Sequence, residues 1–206
     1  MNHWDDKFDT EEYIYGTEPN EWIASQLKDD GEGKKAALLA EGEGRNAVYL
    51  AKLGYEVATY DLSRIGARKT EKLANSQNVE VNTSFQDITV KNALPIQQYD
   101  ISIIVFGHVP PQGKEEMFSN LINCVKENGE IYFEFYSKRQ QEFKTGGPGN
   151  IDMLFDIDEI KGYIKELPAE IISLEEVILE RDEGFMHKGK SAVIQGHLKK
   201  SGTQNQ

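Results

Sequence analysis

Leu39-Ala40-Glu41-Gly42-Glu43-Gly44-Arg45-Asn46-Ala47 places two glycines between a continuous apolar run and an amphipathic one. Upstream, Ala36-Ala37-Leu38-Leu39-Ala40 has the length and apolarity of a buried strand. Downstream, Arg45 to Leu53 reads as a helix closed by Gly54, and Glu56-Val57-Ala58-Thr59-Tyr60 as the next strand. Strand, glycine turn, helix and strand make one β-α-β unit, which implies a parallel pair. Glycines at such a turn let the backbone bend tightly and approach a ligand, so the loop is a candidate nucleotide site.

The alternation continues along the chain. Asp61 ends the second strand, Ser63 caps a helix through Ala67 and Leu73 to Asn75, and Val79 to Phe85 reads as a third strand before Asp87. Ile101 to Phe106 is a fourth. After Pro110-Pro111 an amphipathic helix is expected to Lys126, broken at Asn128-Gly129, then a strand from Ile131 to Tyr136. A Gly-rich loop, Thr145 to Asn150, precedes a helix from Asp156 to Leu167 that Pro168 terminates. Glu170 to Arg181 and Lys190 to His197 are extended and pair antiparallel across a turn at 182–189. The fold expected is α/β: a Rossmann-like open sheet of seven strands, mostly parallel with an antiparallel terminal hairpin strand, and helices on both faces. Residues 34–200 form this domain, 1–33 an aromatic helical segment covering the pocket, and 201–206 a frayed polar tail.

The 206 residues carry 23 Lys and Arg against 35 Asp and Glu, a formal charge of −12. That surface repels phosphate backbones and anionic headgroups, which argues against nucleic acid and membrane partners. No run reaches the length of a membrane span, and Met1-Asn2-His3-Trp4-Asp5-Asp6 lacks a signal-peptide pattern, so a cytoplasmic protein is expected. The single Cys124 lies among Leu121, Ile122 and Val125 and reads as packing. The four histidines do not have metal-ligand spacing, and no metal site is expected.

Charge also separates two cofactor classes. Gly42-Glu43-Gly44-Arg45-Asn46-Ala47 satisfies the G-x-G-x-x-A form of the dinucleotide fingerprint. A dinucleotide, however, sets a pyrophosphate against this loop and the helix start, beside Glu41 and Glu43. One such like-charge pair at about 4 Å costs roughly 4 kcal/mol at an effective dielectric near 20. S-adenosylmethionine carries a sulfonium and an ammonium, which carboxylates favour, and one carboxylate for which Arg45 or the helix N-terminus offers a partner. Asp61, at the end of the second strand, is placed to accept hydrogen bonds from both ribose hydroxyls.

The chain resembles the class I S-adenosylmethionine-dependent methyltransferases, in particular small bacterial enzymes related to the tellurite-resistance methyltransferases. Glu41 to Val57 and Tyr60-Asp61-Leu62-Ser63 carry the resemblance. Tyr99-Asp100, Asn128-Gly129, the terminal hairpin, Trp4 to Phe8 and Tyr13 to Asn20 support it. The family loop reads D-x-G-x-G-x-G, whereas Leu38 and Ala40 stand at the leading acid and first glycine. Glu41 is then the carboxylate available in place of the usual ammonium ligand.

By that pattern the cofactor is held by Glu41, Gly42, Gly44, Arg45 and Asn46 of the first loop. Asp61 takes the ribose, Leu62 packs on adenine, Asp87 and Ile88 receive its amino group and edge, and Phe106 and Gly107 lie beside the methionine part. His108 is the candidate for chemistry on the acceptor; it either takes or orients the acceptor's proton, or is simply hydrogen-bonded to backbone in a rigid turn. Tyr15, beside Gly16, is the candidate lid contact. Arg181 and His187 on the terminal hairpin are candidates for holding an acceptor, with ordinary surface roles as the alternative. The resemblance implies methyl transfer to a small molecule, a soft thiol or chalcogen among the options, by a monomer or homodimer. A non-catalytic S-adenosylmethionine-binding protein and a nicotinamide-dependent oxidoreductase are the competing readings.

Overall fold

A computed structural model describes residues 2–184 and 187–202, apart from the side chain of His187. The N-terminal segment carries two short helices, α1 (His3–Phe8) and α2 (Glu21–Gln26). There follow β1 (Lys35–Leu39), α3 (Arg45–Lys52), β2 (Glu56–Asp61), α4 (Arg64–Ser76), β3 (Asn82–Phe85) and β4 (Tyr99–Val105). The chain continues through α5 (Lys114–Asn123), β5 (Val125–Tyr136), α6 (Ile157–Ile164), β6 (Ala169–Glu183) and β7 (His187–Lys200). One seven-stranded sheet results, in the order β3-β2-β1-β4-β5-β7-β6. The pairs among β1 to β5 are parallel, and β7 is antiparallel to both β5 and β6. This is the mixed Rossmann-like sheet expected from the alternation of strands and helices.

Period-two geometry explains why β1 is apolar throughout. Ala36 and Leu38 face one layer with Leu50, Val57, Ile101 and Ile103, while Ala37 and Leu39 face the other with Ile104, Phe118 and Phe133. Both faces are covered, so neither tolerates alternation with polar residues. Leu39 lies opposite Tyr60 in β2 and Ile104 in β4. The loops after these three strands therefore open at one edge, where the strand order reverses between β1 and β4.

Several boundaries differ from the sequence expectation. The helix expected to reach Lys126 ends at Asn123, and β5 starts at Val125 because Val125 pairs with Tyr99. Asn128-Gly129 is thus an irregularity inside β5; a Cβ on Gly129 would sit 2.5 Å from the Asp100 carbonyl oxygen. The third strand is only Asn82–Phe85, because Val79 N–H donates to Ala74 O and finishes α4. In the terminal hairpin Asp182 pairs with Lys188 and Glu183 with His187, so the strands run into the stretch the sequence assigns to a turn. Cys124 is buried, which pushes its thiol up to about 12, and it serves packing. His197 is half-buried and stacks on Tyr132 at 4.4 Å.

Candidate functional site

The edge above β1, β2 and β4 holds a cavity of about 240 Å³. From the first loop come Glu41, Gly42, Arg45 and Asn46; from the end of β2, Asp61 and Leu62; from the loop after β3, Asp87 and Ile88. Phe106, Gly107 and His108 close it from the end of β4, and Tyr15 from the N-terminal segment. Of the residues singled out in the sequence, Gly44 and Arg181 do not line it, and the side chain of His187 lies outside the described residues.

Gly44 acts one step back. It is the N-cap of α3 at φ +92°, and a Cβ there would lie 2.8 Å from the Thr70 Cα and closer to its side chain. Only glycine combines that conformation with so close an approach of α4. Gly107 is constrained by space too: an added Cβ would meet the Ile104 side chain at 2.4 Å and Ala40 Cβ at 3.1 Å. The adjacent strands β1 and β4 are each followed directly by a non-glycine residue with positive φ, Ala40 at +50° and Phe106 at +54°. Both line the cavity, and such conformations persist only where the surroundings impose them.

The acids of the loop are not solvated. Glu41 accepts from Asn46 N and Ala47 N, both at 2.8 Å, and from Asn46 Nδ2 at 3.3 Å. Its carboxylate therefore occupies the N-terminus of α3, the place where an anionic ligand group otherwise binds. Part of the residue opens on the cavity, yet desolvation outweighs these donors and pushes the carboxyl up to about 7. Glu43 is 3% exposed, is paired with Lys69, and accepts from Ile14 N at 2.9 Å and Tyr15 N at 3.4 Å. The sequence offers Arg45 and the α3 N-terminus as partners for a ligand carboxylate. In the structure both are engaged, the helix by Glu41 and Arg45 by Glu183 at 2.7 Å.

Asp61 accepts from Gly42 N at 2.9 Å through one oxygen and from Ser63 N at 2.7 Å through the other. Burial raises its pKa, and each oxygen keeps a second lone pair for a ligand. Asp87 Oδ1 accepts from Thr89 N at 2.8 Å and Thr89 Oγ1 at 2.6 Å, which shapes the turn carrying Ile88. The imidazole of His108 stacks with Tyr136 and Phe106, and its Nε2 accepts from Tyr136 N at 3.3 Å. In the neutral ring that places the proton on Nδ1. Tyr15 accepts from Lys7 Nζ at its hydroxyl, which burial pushes up to about 12, and packs edge-on against Phe8.

Arg181, expected at the surface or holding an acceptor, is 5% exposed. It pairs with Glu183 and, at 2.7 Å, with Glu134, while its guanidinium lies 5.0 Å over the Phe106 ring. Glu134 also accepts from Asn20 Nδ2 at 2.8 Å and Gln195 Nε2 at 2.6 Å. This buried network supports the cavity wall from behind, and sequence reasoning missed it. Its signal is Glu134 between Phe133 and Phe135, a lone charge inside an apolar strand. Also missed were Phe8, Gln86 and Thr89, which line the cavity.

Known proteins resemble this chain in sequence and in fold. A probable S-adenosyl-L-methionine-dependent methyltransferase TehB from Haemophilus influenzae is 26% identical over 97 residues, 47% of this chain and 32% of that protein. The matched stretch is thus about a third of that relative's own length. Among solved structures, one determined for the conversion of a disulfide bond into a thioacetal group during echinomycin biosynthesis matches with a TM-score of 0.73 and 14% identity, covering 93% of this chain and 86% of that one. TehB from Haemophilus influenzae matches with a TM-score of 0.67 and 18% identity, covering 97% of this chain and 66% of that one. The family model described as tellurite resistance protein TehB matches residues 24–187, most of the length of the chain, which therefore belongs to that family.

Proposed function

We propose that this chain is an S-adenosylmethionine-dependent methyltransferase acting on a small-molecule acceptor, a soft thiol or chalcogen nucleophile. The observation that carries the reading is the charge of the cavity. Glu41, Asp61 and Asp87 line it, Glu43 is neutralised by Lys69, and Arg45, the permanent cation among its described lining residues, is neutralised by Glu183. Such a cavity suits a cationic cofactor and resists a pyrophosphate, all the more because Glu41 fills the α3 N-terminus. These residues fit S-adenosylmethionine and disfavour the nicotinamide reading.

When bound, the cofactor supplies an electrophilic methyl group carried on a positively charged sulfur. Asp61 accepts from the ribose hydroxyls, Leu62 and Ile88 flank the base, and Asp87 accepts from its amino group. Glu41, ionised beside a cation, takes the part that the acid missing at Leu38 plays elsewhere in the family. Trp4, Phe8 and Tyr15 exclude water from the reacting groups. His108 orients the acceptor through its ring and does not act as a base, since its Nε2 already accepts a backbone hydrogen bond. A soft nucleophile needs no such base, so alignment and desolvation suffice.

The test is a calorimetric titration with S-adenosylmethionine, S-adenosylhomocysteine and NAD, repeated on Asp61→Ala, then an acceptor screen over thiols, selenite and tellurite under reducing conditions. Binding of the first two ligands alone, weakened by about tenfold or more in the variant, is expected. Binding of NAD alone overturns the reading. Binding of the first two without transfer to any acceptor leaves a cofactor-binding protein that is not this enzyme.

A further inference from the structure

Residues 9–12, in the segment that brings Phe8 and Tyr15 to the cavity, are exposed, so little apolar burial holds this stretch. Between Phe8, which is buried, and Tyr13, which packs on Val48, Leu73 and Ala74, two buried side chains of the α/β domain hold its backbone. Lys69 of α4 donates from Nζ to the carbonyl oxygens of Phe8 at 3.4 Å, Thr10 at 3.0 Å and Glu12 at 2.6 Å, and lies 5.0 Å over the Tyr13 ring. The Tyr13 hydroxyl donates back to Lys69 O at 3.1 Å. Glu43 accepts from the amides of Ile14 and Tyr15 and completes the ion pair with Lys69. An ammonium gathers carbonyls from one half of the strap and a carboxylate gathers amides from the other. Each needs its partner, because an isolated buried charge is costly.

We infer that Glu43 and Lys69 are positioning residues that hold the strap of residues 8–15 closed over the cavity and thereby set how long a ligand stays bound. Neither assists the transfer itself. The inference rests on the cofactor reading only through the choice of probe, S-adenosylhomocysteine. Closing the cavity also excludes water from it, which ties the pair to turnover through Tyr15 and Phe8.

The experiment compares wild type, Glu43→Gln, Lys69→Met and Lys69→Arg by two readouts that need no acceptor. Hydrogen exchange of peptides spanning 8–16 reports the strap, with peptides from β1 and β4 as internal references. Stopped-flow fluorescence in a Trp22→Phe background, where Trp4 at the cavity is the reporter, gives the dissociation rate of S-adenosylhomocysteine. In Glu43→Gln and Lys69→Met, strap exchange and dissociation both rise by about tenfold or more while the references stay protected, and Lys69→Arg falls between. Faster strap exchange with dissociation unchanged within about twofold assigns the pair to stability alone and overturns the inference. So do unchanged strap exchange and loosening of the whole sheet. If Lys69→Met does not fold, Glu43→Gln and Lys69→Arg decide. Wild type that binds no S-adenosylhomocysteine removes the cofactor reading first, and the inference with it, a result distinct from the others.

Discussion

Arg45, the first residue of α3, and Glu183, the last of β6, meet at 2.7 Å with both side chains buried. This contact joins the cofactor loop to the terminal hairpin. From Glu183 the chain of charges passes to Arg181 and on to Glu134 in β5, with Asn20 donating to both carboxylates. The N-terminal segment, the first β-α unit and the hairpin are thus held in one orientation by groups that water does not reach.

Glu183→Ala removes the carboxylate between two buried guanidinium groups and leaves both underpaired. A loss of about 3–5 kcal/mol in unfolding free energy is expected, the range for breaking a buried pair from one side. The double variant Arg45→Met with Glu183→Leu recovers much of it, because no charge is then left without a partner. Urea denaturation followed by circular dichroism measures both. A single-variant loss below about 1 kcal/mol would mean that water or local relaxation compensates Arg45.

Glu41 makes stability and binding depend on pH in a calculable direction. Its folded pKa, about 7, lies above the ordinary carboxylate value, so the folded state binds a proton the unfolded chain gives up. Its contribution is full below the ordinary value and is lost as pH rises toward 7. Glu41→Gln keeps a neutral acceptor for Asn46 N and Ala47 N and removes this titration. Relative to wild type, the variant gains about 1–3 kcal/mol in stability between pH 5 and pH 8. Ligand binding runs the other way, since the ammonium of S-adenosylhomocysteine favours the ionised form. Wild-type affinity therefore rises from pH 6 to pH 8, and the rise disappears in Glu41→Gln. Parallel pH profiles for the two proteins would assign the ammonium to another group.

The succession of strands along the chain was legible because β1 is a nearly continuous apolar run and β2 and β4 are largely apolar, each ending in a polar or glycine-containing loop. The same loops supplied most of the cavity residues, since the ends of parallel strands open at the edge where the order reverses. What stayed hidden depends on pairing between distant segments. Arg181 has no local mark of burial until Glu134, 47 residues earlier, is seen opposite it. Val125 belongs to a strand only because Tyr99 lies beside it, although its local pattern continues a helix. Glu41 and Glu43 look alike in sequence, yet one caps α3 and the other grips the strap.

Gly44→Ala meets two obstacles at once, a φ of +92° and the Thr70 Cα at 2.8 Å. The expected cost is about 1–3 kcal/mol from overpacking and backbone strain together. Thr70→Ala removes the side-chain clash but leaves backbone and φ unchanged, so the double variant recovers only part of the loss. Thermal unfolding of the four proteins gives the split. Full recovery would show that space, and not conformation, selects glycine here.

His108→Asn separates a wall residue from a base. If the ring only orients the acceptor, kcat/KM for a thiol changes by less than about tenfold, and the pH profile keeps its shape because the imidazole exchanges no proton with the acceptor. S-adenosylhomocysteine affinity stays within a factor of about three, since Phe106 and Gly107 still shape the wall. Stability falls by about 1–3 kcal/mol, the cost of leaving the Tyr136 amide without its imidazole acceptor. Removal of a base gives a different signature: turnover drops by about 10²–10⁴-fold, with cofactor binding intact and the acidic limb of the profile gone. Initial rates between pH 5.5 and 9, with calorimetric affinities on the same preparations, distinguish the two, and the second pattern would return His108 to the chemistry of the acceptor.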